Sequence, residues 1–227
     1  MALSDELKSE VTKIFGEQWT ARKGQVVPEP EDLKLSNYAV EFDRATVLYA
    51  DLSGSTAMVN SRSWQLAAEV YKTFLHCAAK LIRQEGAKIT SYDGDRIMGI
   101  FVGDMPCTSA AKCALKINYA VGQIINPALK AQYPKTDFAV KQVVGIDVSP
   151  IRAARIGVRG GNDIVWVGRA ANYAAKLTAL NLKERSWITK EAYDRLNDSA
   201  KFGGNPRQNM WKSYTWTKNG DHPYWSL

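Results

Sequence analysis

The chain is short of the residues on which several common chemistries depend. It has two histidines, His76 and His222, and three cysteines, Cys77, Cys107 and Cys113, with no CxxC spacing among them. An odd, unpaired set of cysteines excludes a disulfide framework and fits a reducing compartment. So few His and Cys residues, without CxxC spacing, argue against a His/Cys zinc cluster. They also argue against a Ser–His hydrolase, and no GxSxG elbow is present. Neither a GxxxxGK[ST] phosphate loop nor a GxGxxG dinucleotide fingerprint occurs. No run approaches the roughly 18 apolar residues of a transmembrane helix. The stretch from Met1 to Glu10 is charged and lacks the apolar core of a secretory signal. The expectation is a cytoplasmic protein without a membrane partner.

What is present is globular. Of 227 residues, 45% are hydrophobic and 23% charged, enough for one sizeable domain with its own core. The 30 Lys and Arg against 23 Asp and Glu leave a formal charge of +7, which suits polyanions such as nucleotide phosphates. The basic residues are spread along the chain. No single element combines a basic stripe with interleaved aromatics, so nucleic acid is not the expected partner.

Three segments follow from the pattern. Residues 1–35 form an N-terminal helix and linker: Leu3, Leu7, Val11 and Phe15 share one helical stripe, expected to pack on the domain or on a partner subunit, and Pro28 and Pro30 follow. Residues 36–200 form the main domain. Strands are expected at Ala45–Ala50, 87–92, 96–102, 137–148, 153–158, 163–167 and 187–188. Helices are expected over about 57–85 (with a break near 60–63), 109–125 and 170–180, and from Lys190. Residues 201–227 are expected to form an aromatic hairpin, turning at Asn219-Gly220, with Trp211, Tyr214, Trp216 and Trp225 packed on the domain.

Three places in the main domain carry chemistry. At Tyr49-Ala-Asp51-Leu-Ser-Gly-Ser-Thr56 a buried strand ends in an acid, followed by small residues and a helix start. Such a junction can hold a cation beside phosphate oxygens; the plainer reading is a helix capped by Ser55 or Thr56. The second place is Asp93-Gly94-Asp95, at a hairpin tip. If the strands ending at Asp51 and starting after Asp95 are neighbours, two carboxylates meet, and hard oxygen donors of that kind suit Mg²⁺ or Mn²⁺. The third is Gly168-Arg-Ala-Ala-Asn172-Tyr-Ala-Ala-Lys176, where Asn172 and Lys176 share a helical face. An amide and a cation there can hold a ribose and a developing phosphate charge. Alternatively, Lys176 simply snorkels from an amphipathic helix. Arg169, a cation at a helix start, hints at a nearby anion.

In order, these sites resemble the class III nucleotidyl cyclase catalytic domain. Its strand ending F-A-D-[IL]-x-G-[FS]-T is matched by Tyr49-Ala-Asp51-Leu-Ser-Gly-Ser-Thr56. Its G-D-x-x-M-x-x-F is matched by Gly94-Asp95-Arg-Ile-Met98-Gly-Ile-Phe101. Gly145-Ile-Asp147-Val follows, and Gly168-Arg-Ala-Ala171-Asn172-Tyr-Ala-Ala-Lys176-Leu177 stands where the family has G-x-x-V-N-x-A-[AS]-R-[LM]. The resemblance covers about residues 43–200. It implies an α+β, ferredoxin-like domain, mainly antiparallel sheet flanked by helices, working as a head-to-tail homodimer. It implies two divalent ions, Mn²⁺ or Mg²⁺, held by Asp51, Asp95 and the Leu52 carbonyl, and a triphosphate cradled by Ser53, Gly54, Ser55 and Thr56. From the opposite subunit come Asn172 on the ribose and Lys176 on the transition state. Lys176 replaces the family's arginine, keeping the charge and losing the fork of donors.

The base-reading positions depart from the purine enzymes. Where adenylate cyclases place Lys and Asp, this chain has Ser91 and Val165, and Tyr49 and Arg96 stand in the pocket instead. In this it resembles the bacterial pyrimidine cyclases, whose cyclic UMP or cyclic CMP is an anti-phage signal for a separate effector protein. A Tyr–Arg wall suits a one-ring base. Arginine offers only donors, which match uracil O4 or O2 and oppose the cytosine amine at the 4-position. UTP is therefore the expected substrate. The alternatives are CTP, then a purine nucleotide, then a catalytically degenerate nucleotide-binding domain.

Overall fold

The computed structural model describes residues 2–158, 160–180, 182–216 and, as backbone, 222–226. In chain order the elements are α1 (Leu3–Gly16), β1 (Thr20–Lys23), a 3₁₀ turn (Pro30–Asp32), β2 (Tyr38–Leu52), α2 (Ser55–Ser61), α3 (Trp64–Gln84), β3 (Lys88–Asp93) and β4 (Arg96–Phe101). There follow α4 (Pro106–Tyr119), a π-helical turn (Ala120–Ile125), α5 (Asn126–Gln132), β5 (Gln142–Val158), β6 (Gly161–Val167) and α6 (Arg169–Thr178). The chain then passes through β7 (Ser186–Thr189), α7 (Lys190–Asp194), α8 (Asp198–Lys201), the short pair β8 (Phe202–Gly203) and β9 (Gln208–Asn209), and finally β10 (Lys212–Trp216) and β11 (His222–Ser226).

The main sheet runs β10-β11-β7-β5-β2-β4-β3, with β1 added to β2 and β6 to β5. It is antiparallel except for β5–β7 and β1–β2. Side-chain alternation along β2 divides the core. Leu48, Ala50 and Leu52 face α3 and α4, joining Val70, Phe74, Ala78, Ile82, Ala110 and Ile117. Val47 and Tyr49 face the other way, toward Ala170, Ala171 and Ala174 of α6. Asp51 therefore shares the α6 face of the sheet.

α6 lies close because the sheet is bare beneath it. A Cβ on Gly145 would sit 2.1 Å from the Ala174 carbonyl oxygen and 2.9 Å from Leu177 Cβ. The glycine of the Gly145-Ile146 motif is thus the contact point of helix and sheet.

Several expectations are corrected. The two strands at 137–148 and 153–158 are one, β5. Pro150 does not break it because it lies opposite the register shift between Phe42 and Ala45 of β2, where the ladder is already interrupted. The helix expected at 109–125 begins earlier, with Pro106 in its first turn, and runs through the π-helical turn into α5. No residue of α1 is buried, and Leu3, Leu7, Val11, Ile14 and Phe15 are all exposed. Its stripe does not pack on this domain. Only its end is held, through Asn37 Nδ2, which donates to the Ile14 and Glu17 carbonyls at 2.7 and 2.8 Å. In the tail, Trp211 and Trp216 are buried and β11 pairs with β7, while Tyr214 is more than a third exposed. The Asn219-Gly220 turn and the Trp225 side chain lie outside the described residues.

Candidate active site

The end of β2 and the β3–β4 hairpin build one site. β2 pairs with β4 so that Asp51 lies opposite Arg96 and Tyr49 opposite Met98. Asp95 precedes Arg96 in the turn, where Gly94 takes φ +60°, a conformation that favours glycine. The two carboxylates repel: burial first, then the Asp95 charge, pushes the Asp51 pKa up to about 6, against weaker relief from Arg96, the Leu52 N–H and the Thr178 hydroxyl. Asp95 Oδ2 is buried with no hydrogen-bond partner among the described residues. A buried, unpartnered carboxylate oxygen beside a destabilised second carboxylate is a donor set whose chemistry suits a cation. The pair fits a hard divalent ion, with the Leu52 carbonyl at the same strand end. Among the described residues no group of three or more His, Cys, Asp or Glu forms a metal cluster, so the remaining ligands would come from water and substrate oxygens.

Asp51 has a folded pKa of about 6 against an ordinary aspartate value of 3.8. Its contribution to stability is fully present below about pH 4 and is lost as the pH rises through about 6. Asp51→Asn is therefore expected to raise the melting temperature of metal-free protein above pH 6, with the gain vanishing near pH 4. Thermal melts across that range check it. Adding Mn²⁺ is expected to stabilise the wild type and not the variant.

Beside the carboxylates, the loop from Leu52 turns into α2 through Gly54 in the left-handed region, φ 78°. The Ser53 N–H donates to the Lys141 carbonyl at 2.9 Å. Neither Ser55 nor Thr56 caps α2; its N-terminal position is Gly54, with no side-chain cap. Ser53, Gly54 and Thr56 are exposed and Ser55 is partly so. On the other side, the Arg96 guanidinium lies 5.5 Å from the centre of the Tyr49 ring and donates Nη2 to Asp93 Oδ2 at 2.8 Å. Tyr49 and Arg96 thus form one wall, with the guanidinium held by a cation–π contact and an ion pair. Ser91 lies opposite Met98 on β3, and Val165 opposite Ala154 on β6.

Asn172 and Lys176 stand apart from this cluster. Helical geometry puts them about 40° apart and Lys176 about 200° from Thr178. Thr178 is the α6 residue that reaches Asp51, while Asn172 and Lys176 are exposed. Both therefore project away from the carboxylates of their own chain.

The anion hinted at by Arg169 is internal. Its Nε and Nη2 donate to Asp147 Oδ2 and Oδ1 at 3.0 and 3.2 Å, Nη2 also donates to the Val148 carbonyl at 2.7 Å, and Glu191 completes the set. Asp147 is fully buried and also accepts from Thr189. Arg169 is thus a structural pin rather than a phosphate ligand. The Ser149 hydroxyl accepts from the Ala170 N–H at 3.0 Å, fixing the same helix start.

Residues 37–213 match the family described as the adenylate and guanylate cyclase catalytic domain. The chain belongs to this family of nucleotide cyclases. A Burkholderia cepacia protein named uridylate cyclase is 52% identical over the whole chain and 97% of its own length. A Xanthomonas perforans protein of the same name is 46% identical, over 95% of this chain and 92% of that one. The cyclase fold is also that of solved structures at 17% identity. The guanylyl cyclase Cya2 superposes with a TM-score of 0.67 over 81% of this chain and 90% of its own. The adenylyl cyclase CyaB from P. aeruginosa gives 0.66 over 83% and 95%. The α+β architecture expected from the motifs is the one observed.

Several residues of the cyclase site escaped sequence reading. Thr178 follows the last motif and touches Asp51 only because α6 sits on Gly145. Asp93 read as a turn residue, yet it anchors Arg96. Asp147 lay inside a recognised motif, but no spacing rule pairs it with Arg169.

Proposed function

We propose that this cyclase converts UTP to 3′,5′-cyclic UMP and pyrophosphate. The observation that carries the reading is the convergence of Asp51 and the unpartnered Asp95 Oδ2 beside the Tyr49–Arg96 wall. The choice of uracil is supported by that wall and by near full-length relatives named uridylate cyclase. Ser91 and Val165 do not supply the Lys and Asp that read adenine.

In the reaction the ribose 3′-hydroxyl attacks the α-phosphorus. The O3′–P bond forms, the bond to the bridging oxygen breaks, pyrophosphate leaves and the hydroxyl proton passes to water. Two divalent ions, when bound, lower the pKa of the hydroxyl and neutralise the leaving group. Asp51, Asp95 and the Leu52 carbonyl would hold them. The backbone of Gly54, Ser55 and Thr56 receives the triphosphate, with no side-chain cap competing for the first α2 amides, while the Ser53 N–H, expected to join them, is already committed to the Lys141 carbonyl. Arg96 keeps N–H donors beyond the Nη2 that serves Asp93 and directs them to a uracil carbonyl.

The outward projection of Asn172 and Lys176 supports a role for them in the site of a second copy. In a head-to-tail homodimer, Asn172 orients the ribose and Lys176 neutralises charge developing at the α-phosphate. The product serves as an anti-phage messenger acting on a separate effector in the cytoplasm. No helix of the described residues is long and apolar enough to cross a membrane.

The test is incubation with UTP and Mn²⁺. Cyclic UMP and pyrophosphate are expected in equal amounts. Release of UMP or inorganic phosphate without a cyclic product contradicts the proposal.

A further inference from the structure

Lys176 does not stand on α6 as an isolated cation. Its Nζ lies 5.7 Å from the centre of the Tyr173 ring, and the Arg169 guanidinium lies 5.4 Å from the same ring. Arg169, Tyr173 and Lys176 are spaced i, i+4, i+7, one stripe of the helix. At its start the stripe is pinned to the buried Asp147. At its side, Trp216 of β10 meets the Tyr173 ring at 5.8 Å with an interplanar angle of 72°. Trp216 is buried in a small cluster with Val143, Leu177 and Trp187, against which Tyr173 packs. The ring is thus fixed from β10 and offers its π-system to a long, flexible lysine.

From this geometry we infer that Tyr173 is a positioning residue for Lys176, and that β10, through Trp216, is part of the active-site machinery. The inference rests on the proposed role of Lys176 at the transition state. It adds a physical reason for a lysine to serve there. A lysine lacks the planar fork that orients an arginine; the Tyr173 face restricts the ammonium instead. The aromatic tail thereby acquires a function besides packing: it sets the angle of the ring that holds the cation.

The experiment is a double-mutant cycle on purified full-length protein, reading kcat and KM for UTP in Mn²⁺, with thermal melts alongside. Lys176→Ala is expected to lower kcat about a hundredfold, leaving measurable turnover. Tyr173→Leu is expected to lower kcat roughly five- to tenfold with KM changed less than about twofold. Tyr173→Phe, which keeps the ring, is expected to restore wild-type kcat. In the Lys176→Ala background, Tyr173→Leu is expected to cost less than about twofold more, because its effect acts through the cation. Trp216→Leu gives a smaller loss with the same dependence on Lys176, and it carries the cycle alone if Tyr173→Leu does not fold. An undiminished loss in the Lys176→Ala background overturns the inference, as does wild-type kcat in Tyr173→Leu. Wild-type kcat in Lys176→Ala itself would instead overturn the role of Lys176, so the two failures are distinguishable.

Discussion

Asp51→Ala and Asp95→Ala are each expected to cut cyclic nucleotide formation roughly a thousandfold or more, into assay background, while the protein stays folded. In the proposed site the two carboxylates are the protein's anionic donors, and losing either would remove half of that charge and leave the leaving group poorly compensated. Neither change removes a core contact. Asp51→Ala removes a carboxylate whose pKa burial first, and the Asp95 charge second, hold at about 6, and Asp95→Ala removes that second cause, so metal-free melting temperatures are expected to equal or exceed the wild-type value. Product assays and melts on the same preparations check both halves. A variant with wild-type turnover would remove the metal assignment; an inactive and unfolded one would show the acids to be structural.

The second large effect is complementation. Asn172→Ala and Asp51→Ala are each expected to be inactive alone and to regain activity on mixing. The reason is geometric: the α6 face bearing Asn172 and Lys176 points away from its own chain's Asp51, which is reached from the opposite face by Thr178. In a two-fold dimer with composite sites, a mixed pair has one site carrying both lesions and one carrying neither. With free exchange of subunits, half of the dimers are mixed, so about a quarter of wild-type activity is expected. Mixing equal amounts after brief destabilisation and measuring cyclic product checks this. No recovery, with exchange shown by differently tagged chains, would place the site within one chain.

Much of this architecture was legible in the sequence for identifiable reasons. Ala45–Ala50 is a short run of strand-forming residues before an acid, and the hairpin tip carries Asp-Gly-Asp, so both the junction and the turn announce themselves, whereas the start of β2 at Tyr38, reached through Glu41, Asp43 and Arg44, does not. α3 places Leu66, Val70, Phe74, Ala78 and Ile82 at helical spacing behind a Ser63 cap that accepts from Leu66 N–H at 3.4 Å. What stayed hidden depended on partners distant in sequence. Pro150 looks like a strand breaker until the β2 irregularity opposite it is known. Arg169 looks like an anion ligand until β5 brings Asp147 beneath it. The wall formed by Tyr49 and Arg96 could be argued from motif positions, but its anchoring by Asp93 needed the hairpin register. The apolar stripe of α1 was read correctly as a helix face, yet its expected cover is not supplied by this domain.

The central claim is that this cyclase selects a pyrimidine, and uracil in particular. The most direct test offers it ATP, GTP, CTP and UTP together at equal concentration with Mn²⁺ and identifies the products by mass spectrometry. The expected result is 3′,5′-cyclic UMP in clear excess. Predominant cyclic CMP would overturn the donor–acceptor reading of Arg96, and predominant cyclic AMP or cyclic GMP would contradict the account of the base pocket as a whole.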